Sequence, residues 1–514
     1  MPDAVPRLHS RYDPEREAAR YVDSCEISFN PFCVVVSEPG ESWLAQALRE
    51  RFPSAFLVAL RYGADRFSES DGRWDSVWRP GSDLTLPAFL FNVIPDEYLP
   101  LTVFLPWKPS DAAWPDEAHE VWRDIAAVIR TQASVMHTRD HFGRRWFSNM
   151  IRNALLADSF VSVERCADPI LVAAAGPSLE NLPSDRLGSF RVYAVSAAVS
   201  ALAGRGIDFD LWIATDGGYW ARDHLRALPQ GIPVAFPLEA AIPSAILENN
   251  PVALLDYGSL LEKELCTRCG LSGAPASRNG TVAGTAAVFA LSRTDAPVYA
   301  AGLDLAYSTS FSHARPHVSD NPLAASSGRL MPLATSLFER NLDTASLDMY
   351  AAWFSSRDSA FRNRFFRLEP SPRPLAGIRS VSLPEAGQGL SAEDRGIQSA
   401  VFKSRVCTPR VVPDRPIRKA RITAWLAELS DDISPFAEPF ADVSGYDLFL
   451  GGIFRDPLWI EIFQFVSYTD YIGVLKNSLS TGGARAEDIS RAGQLCAKTS
   501  AFLGRLSAMV HAYG

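Results

Sequence analysis

Three stretches of the chain gather glycines, hydroxyls, a carboxylate and imidazoles at the spacing a ligand site needs. The first is Gly176-Pro177-Ser178-Leu179, which closes the apolar run 170–175. Gly176 has no Cβ, so the chain can turn sharply there and a ligand can approach the backbone. Pro177 suits the first turn of a helix, which the pattern places over 180–187. Ser178 can cap that turn or hydrogen-bond a bound group, and free amides at a helix start attract anions. Strand, tight turn and helix start together make a nucleotide or phosphate pocket at the carboxyl end of a parallel sheet; the same residues also suit a plain strand-to-helix turn.

The second stretch is Ser277-Arg278-Asn279-Gly280-Thr281-Val282-Ala283-Gly284-Thr285, a turn signal that opens a small-residue helix over 283–291. Thr281 and the amides beside it could hold phosphate oxygens, although tight helix–sheet packing asks for the same small residues. The third is Gly302-Leu303-Asp304-Leu305-Ala306-Tyr307, followed by His313 and His317. A strand over 298–301 delivers Asp304 to the sheet edge, and the next loop brings a phenol and two imidazoles towards it. Imidazole has the basicity to take a proton near neutral pH. Ser196, Asp216 and Asp256 stand at further strand ends, where the ligand crevice of a parallel sheet lies.

No metal site is expected. Asp208-Phe209-Asp210 has the Asp-x-Asp spacing with which some sugar-nucleotide transferases hold a divalent cation, but Asp210 opens the strand that Asp216 follows, so it belongs to the opposite sheet edge. Cys266 and Cys269 form a lone CxxC; zinc asks for a second pair and a redox role for a thioredoxin-like context, and neither is nearby. No HExxH, Walker loop, GxSxG or GxGxxG occurs.

The elements that must position these residues alternate. Strands are expected over 32–36, 55–60 and 101–105, with a helix over 43–51, and again over 170–175, 192–195, 211–215, 233–236, 252–255 and 298–301. Such alternation means an α/β fold. A polar loop is expected over 107–115 and long helical periodicity over 118–157. After about residue 389 the strands stop, and helices are expected over 413–429, 457–475 and 486–512. The expected organisation is an α/β domain over 1–115, a helical connector over 116–160, a Rossmann-like central domain on a parallel sheet over 161–388, and a helical domain over 389–514. A chain of 514 residues with 47% hydrophobic and 21% charged residues can bury several cores. A net charge of -9 argues against a general nucleic-acid binder. The charged beginning of the chain does not read as a signal peptide, no apolar run is long enough to span a membrane, and seven cysteines without a disulfide framework suit a reducing cytosol.

At these residues the chain resembles the motility-associated-factor (Maf) flagellin glycosyltransferases, which are similar in turn to bacterial sialyltransferases. The resemblance runs in order through Ala175-Gly176-Pro177-Ser178-Leu179, Val195-Ser196 with Asp210 and Asp216, Asn279-Gly280-Thr281-Val282, and Gly302-Leu303-Asp304-Leu305-Ala306-Tyr307 with His313-Ala314. Outside that core, Leu8-His9-Ser10-Arg11-Tyr12-Asp13-Pro14, Arg145-Trp146-Phe147-Ser148-Asn149 and Met349-Tyr350-Ala351-Ala352-Trp353-Phe354 look like flanking segments of the family, so the likeness covers most of 7–385.

The resemblance implies a cytoplasmic transferase that moves a nonulosonic acid, of pseudaminic or legionaminic type, from its CMP donor to Ser or Thr hydroxyls of flagellin before export, in support of flagellum assembly and motility. The donor is a substrate; no separate cofactor is implied, and no nucleic-acid partner. On this reading Gly176, Pro177, Ser178, Leu179, Ser196 and Asp216 line the nucleotide, and Asn279, Gly280 and Thr281 lie at the phosphate. Catalysis falls to Asp304, Tyr307, His313 and His317, with His313, or failing that His317, as base. CMP leaves readily, so metal is not required. Two alternatives stay open: a pterin pyrophosphokinase-like enzyme on a related domain, dependent on ATP and magnesium, and a non-catalytic flagellin-binding protein built on the acidic, helix-rich C-terminal third.

Overall fold

The computed structural model describes residues 6–184, 187, 189–219, 221–225, 230–306, 311–318, 320, 325–333, 345–383, 407–438, 440, 443–480 and 484–513. The chain forms two compact units. One holds the residues up to Gly143 together with Asp431–Phe502; the other holds Arg144–Ser430 and the residues from Leu503 onward. The helix Pro115–Leu156 passes from the first to the second.

In the first unit, strands β1 (Cys33–Ser37), β2 (Phe56–Leu60), β3 (Ser76–Trp78) and β4 (Thr102–Pro106) make a parallel sheet in the order β3-β2-β1-β4. Side chains alternate across a strand, so the unbroken apolar run of β1 feeds two cores. Val34 and Val36 pack with Ala18, Val22, Leu44 and Leu48 on one face, while Cys33 and Val35 pack with Leu86, Leu90, Val121 and Ile125 on the other. At the carboxyl ends of β1 and β2 the fully buried Arg61 guanidinium bonds Glu38, Ser42, Ser70 and Asp71.

The second unit is built on β5 (Phe160–Val163), β6 (Ile170–Ala173), β7 (Arg191–Val195), β8 (Leu211–Ile213), β9 (Val234–Pro237), β10 (Val252–Asp256), β11 (Ala274–Pro275), β12 (Val298–Ala301), β13 (Phe365–Leu368), β14 (Arg379–Val381) and β15 (Cys407–Arg410). The order is β14-β13-β12-β6-β7-β8-β9-β10-β5-β15, with β11 beside β10. All pairs are parallel except β15 with β5. From β6 the chain steps outward through β7, β8, β9 and β10, then returns to the other flank of β6 as β12 and continues through β13 to β14. The reversal between β6 and β12 is the topological switch point at which open α/β sheets bind ligands. The expected fold class, a Rossmann-like parallel sheet preceded by a smaller α/β layer and followed by helices, is the one observed.

Three local expectations change. The stretch 180–187 does not form one helix: the 3-10 turn Pro177–Asn181 stops before Leu182, where Pro183 disfavours helical backbone. The polar loop over 107–115 contains a short helix, Lys108–Ala113, with Pro109 in its first turn. Past residue 389 a strand is present among the described residues, β15, whose Pro409 fits the edge position it takes against β5.

Candidate functional site at the switch point

The loops that follow β6 and β12 are joined backbone to backbone. Ala174 N donates to Ala301 O at 2.8 Å and Gly176 N to Gly302 O at 2.8 Å, which carries the ladder past the strand ends. Both glycines are required by contact: a Cβ on Gly176 would fall 2.5 Å from Gly302 O, and one on Gly302, at φ +68, would strike Ala174 O. Ser178 then turns both its polar groups onto Asp304. Its amide donates to Oδ2 at 2.7 Å and its hydroxyl to Oδ1, and the carboxylate is 3% exposed.

The loop that carries Asp304 is itself clamped. Arg367 of β13, 1% exposed, donates to Leu303 O at 2.6 Å, and Arg373 donates to Leu305 O at 3.2 Å. Burial pulls the Arg367 pKa down to about 10, with Asp304 acting against that fall. Asp304 thus has both carboxylate oxygens hydrogen-bonded to Ser178 of the Gly-Pro-Ser-Leu turn.

The histidine loop returns to the same place. Ala314 N donates to Ala175 O at 2.8 Å, and Arg315 grips Glu180 through its backbone amide, Nε and a terminal nitrogen, each at 3.0 Å. His313 and His317 stack with ring centroids 4.1 Å apart and planes 7° from parallel, and His224 lies 5.0 Å from His317. Burial first, then the neighbouring His313 and His224, push the His317 pKa down to about 3, so that ring is neutral at physiological pH. Burial also lowers His224, opposed by Asp216 and Asp223. His313 is the less buried of the stacked pair, and its Nδ1 lies 3.0 Å from Ser312 Oγ.

The remaining expected residues fall along the same carboxyl edge. Ser196, buried, begins the turn after β7. Asp216, exposed after β8, accepts the Gly218 amide at 2.7 Å and helps raise the Tyr350 phenol, which burial raises first. The Tyr350 ring in turn lies 2.8 Å from where a Cβ of Gly280 would stand. Asn279 is tied to Ser277 O, and Thr281 caps the helix Val282–Arg293 by accepting from Ala283 N at 3.3 Å. Hydrogen bonds thus join the Ser178–Asp304 turn to the histidine loop, and the charge of Asp216 acts on both His224 and Tyr350, whose ring lies against Gly280. Pro177 and Leu179 complete the first turn, Leu179 wholly buried. Tyr307 lies outside the described residues. Asp210 accepts the Val192 amide at the far end of β8, away from this edge. Among the described residues no cluster of three or more potential ligands could hold a metal ion, and no helix is long and apolar enough to cross a membrane.

Four residues of this edge carried no role in the sequence reading. The indole of Trp146 packs on Gly217, and Arg278 pairs with Glu239 above the rings of Trp146 and Tyr257. Arg278 and Trp146 both lie inside stretches singled out from the sequence; Glu239 and Tyr257 had no local signal.

A mostly parallel α/β sheet whose switch point carries a polar, histidine-bearing edge is what this unit defines. No family model matches the chain. It is 36% identical over 309 residues to an uncharacterised protein of Treponema pallidum (strain Nichols), a match that spans 60% of this chain and 69% of that protein, and it belongs to that protein's family. Among solved structures, the MAf glycosyltransferase from Magnetospirillum magneticum AMB-1 aligns with a TM-score of 0.50 at 11% identity, over 100% of this chain and 85% of the other, a likeness of fold.

Proposed function

We propose that the chain is a metal-independent, sialyltransferase-like glycosyltransferase that moves a nonulosonic acid from its CMP donor to Ser or Thr hydroxyls of flagellin in the cytoplasm. The observation that carries this reading is the meeting of the Ser178–Asp304 turn with the His313 loop at the switch point. The fold shared with a glycosyltransferase supports it.

The nucleotide lies across Gly176–Leu179, Ser196 and Asp216, with its phosphate at Asn279, Gly280, Thr281 and the adjoining amides. His313 takes the proton of the acceptor hydroxyl. The hydroxyl oxygen bonds to the anomeric carbon, the bond from that carbon to the phosphate oxygen breaks, and CMP departs with the electron pair. A positioned base contributes roughly 10²–10⁴-fold. The neutral, stacked His317 keeps a second positive charge from forming beside His313. Tyr307 is assigned to the leaving phosphate, and Asp304 holds the turn on which the nucleotide rests.

Co-expression with flagellin and a CMP-nonulosonic acid pathway, followed by intact-mass measurement, tests the reading. The wild-type chain adds whole sugar masses to flagellin. His313→Ala loses at least a hundredfold in transfer while CMP still raises its melting temperature. Unmodified flagellin beside an active donor pathway, or equal loss of transfer and CMP binding in the variant, overturns it.

A further inference from the structure

Beyond the nucleotide turn and the histidines, the carboxyl edge carries a cation held in a fixed frame. Arg278 stands above two rings, its guanidinium carbon 5.3 Å from the centroid of Trp146 and 5.4 Å from that of Tyr257. A terminal nitrogen donates to the carboxylate of Glu239, whose side chain is 7% exposed, whereas that of Arg278 is 36% exposed. Each part of the frame is anchored in turn. Asn149 donates to Glu239 O at 2.9 Å, Asn153 to Leu238 O at 2.8 Å and Ala240 O at 2.7 Å, Tyr257 lies 3.5 Å from Thr285 Oγ1, and Trp146 packs on Gly217.

A guanidinium has five N–H donors. Among the described residues Arg278 gives one hydrogen bond, to Glu239. The carboxylate is sunk and the guanidinium shows an edge. Aromatic faces leave such a cation weakly hydrated and already oriented, so an incoming oxyanion meets little cost of reorganisation. Arg278 pairs and stacks with residues that follow β9 and β10, three and four strand positions from β6, roughly 14–19 Å along the sheet edge from the Ser178 turn. That separation suits the two ends of a sugar nucleotide better than a single small sugar.

We propose that Arg278 is a receptor for a substrate oxyanion, either the carboxylate of the transferred sugar acid or the phosphate of its nucleotide, with Glu239, Trp146 and Tyr257 as its positioning residues. This rests on the function proposed above.

Thermal shifts and calorimetric titrations of the full chain with CMP, cytidine, N-acetylneuraminate and N-acetylneuraminate methyl ester test it, in the wild type and in Arg278→Met and Arg278→Lys. The wild type binds CMP. Arg278→Met loses tenfold or more in affinity for one charged probe, with the uncharged counterpart of that probe unaffected, and Arg278→Lys recovers part of the loss. Loss confined to the free acid assigns the carboxylate; loss confined to CMP assigns the phosphate. Equal affinity of the wild type and both variants for every probe overturns the proposal and leaves the function standing. A wild type that binds neither CMP nor the acid overturns both. Arg278→Lys keeps the test decisive if the methionine variant does not fold.

Discussion

His317→Gln removes one acid-titrating group from the second unit, and the structure sets the size of the effect. In the unfolded chain this imidazole titrates at its ordinary value of 6.5; in the fold its pKa falls to about 3. Below pH 6.5 the unfolded chain therefore takes up a proton that the native one refuses. Stability is complete above the unfolded value and is lost as pH falls towards the native one. At about 1.4 kcal/mol per pH unit, a fall to about pH 4.5 costs roughly 3 kcal/mol from this residue alone. Carboxylates titrate in wild type and variant alike, so the difference between the two pH profiles isolates the imidazole. Urea midpoints between about pH 7 and 4.5 give the measurement, converted through the shared m-value. The variant starts lower at neutral pH, having lost the stack on His313, but falls less steeply, and the gap narrows by roughly 3 kcal/mol. Parallel profiles would refute the claim that burial among three imidazoles holds His317 neutral.

Two further outcomes follow from the same unit. Gly302→Ala places a methyl group on the Ala174 carbonyl at positive φ and costs roughly 2–4 kcal/mol, whereas Gly206→Ala, at φ +65 with nothing within 4 Å, costs only the backbone penalty of about 1–2 kcal/mol; paired denaturation curves separate clash from strain. Arg418, 1% exposed, donates to Ala154 O at 2.9 Å, Leu155 O at 3.1 Å and Ala157 O, so Arg418→Met strands the last carbonyls of the helix Pro115–Leu156 and lowers stability by about 2–4 kcal/mol in the same assay.

The parallel sheet was legible because its central strands are buried on both faces and read as unbroken apolar runs, Ile170–Ala173 and the first four residues of β10 among them. The edges were not. In β13 the buried Arg367 interrupts Phe365-Phe366 before Leu368, and its reason is tertiary: the guanidinium is needed at Leu303 O, 64 positions earlier. Strand ends were legible in the same partial way. A glycine, a hydroxyl or a carboxylate after an apolar run marks the crevice edge, which is how Gly176, Ser196, Asp216 and Asp304 were found. Which of these groups face a ligand and which face each other depends on strand order, and β12 returning beside β6 is what commits Asp304 to Ser178.

Arg278 makes the same point in reverse. In sequence it is one charged residue in a turn of small ones, with Glu239 39 positions before it. Only a sheet that sets β8, β9 and β10 side by side brings Trp146, Glu239 and Tyr257 around it. Local pattern thus finds residues at the ends of strands, while the chemistry of the crevice is decided by neighbours across strands. The surroundings of each charge follow from that assembly: Asp304 accepts both polar groups of Ser178, and Glu239 pairs with Arg278.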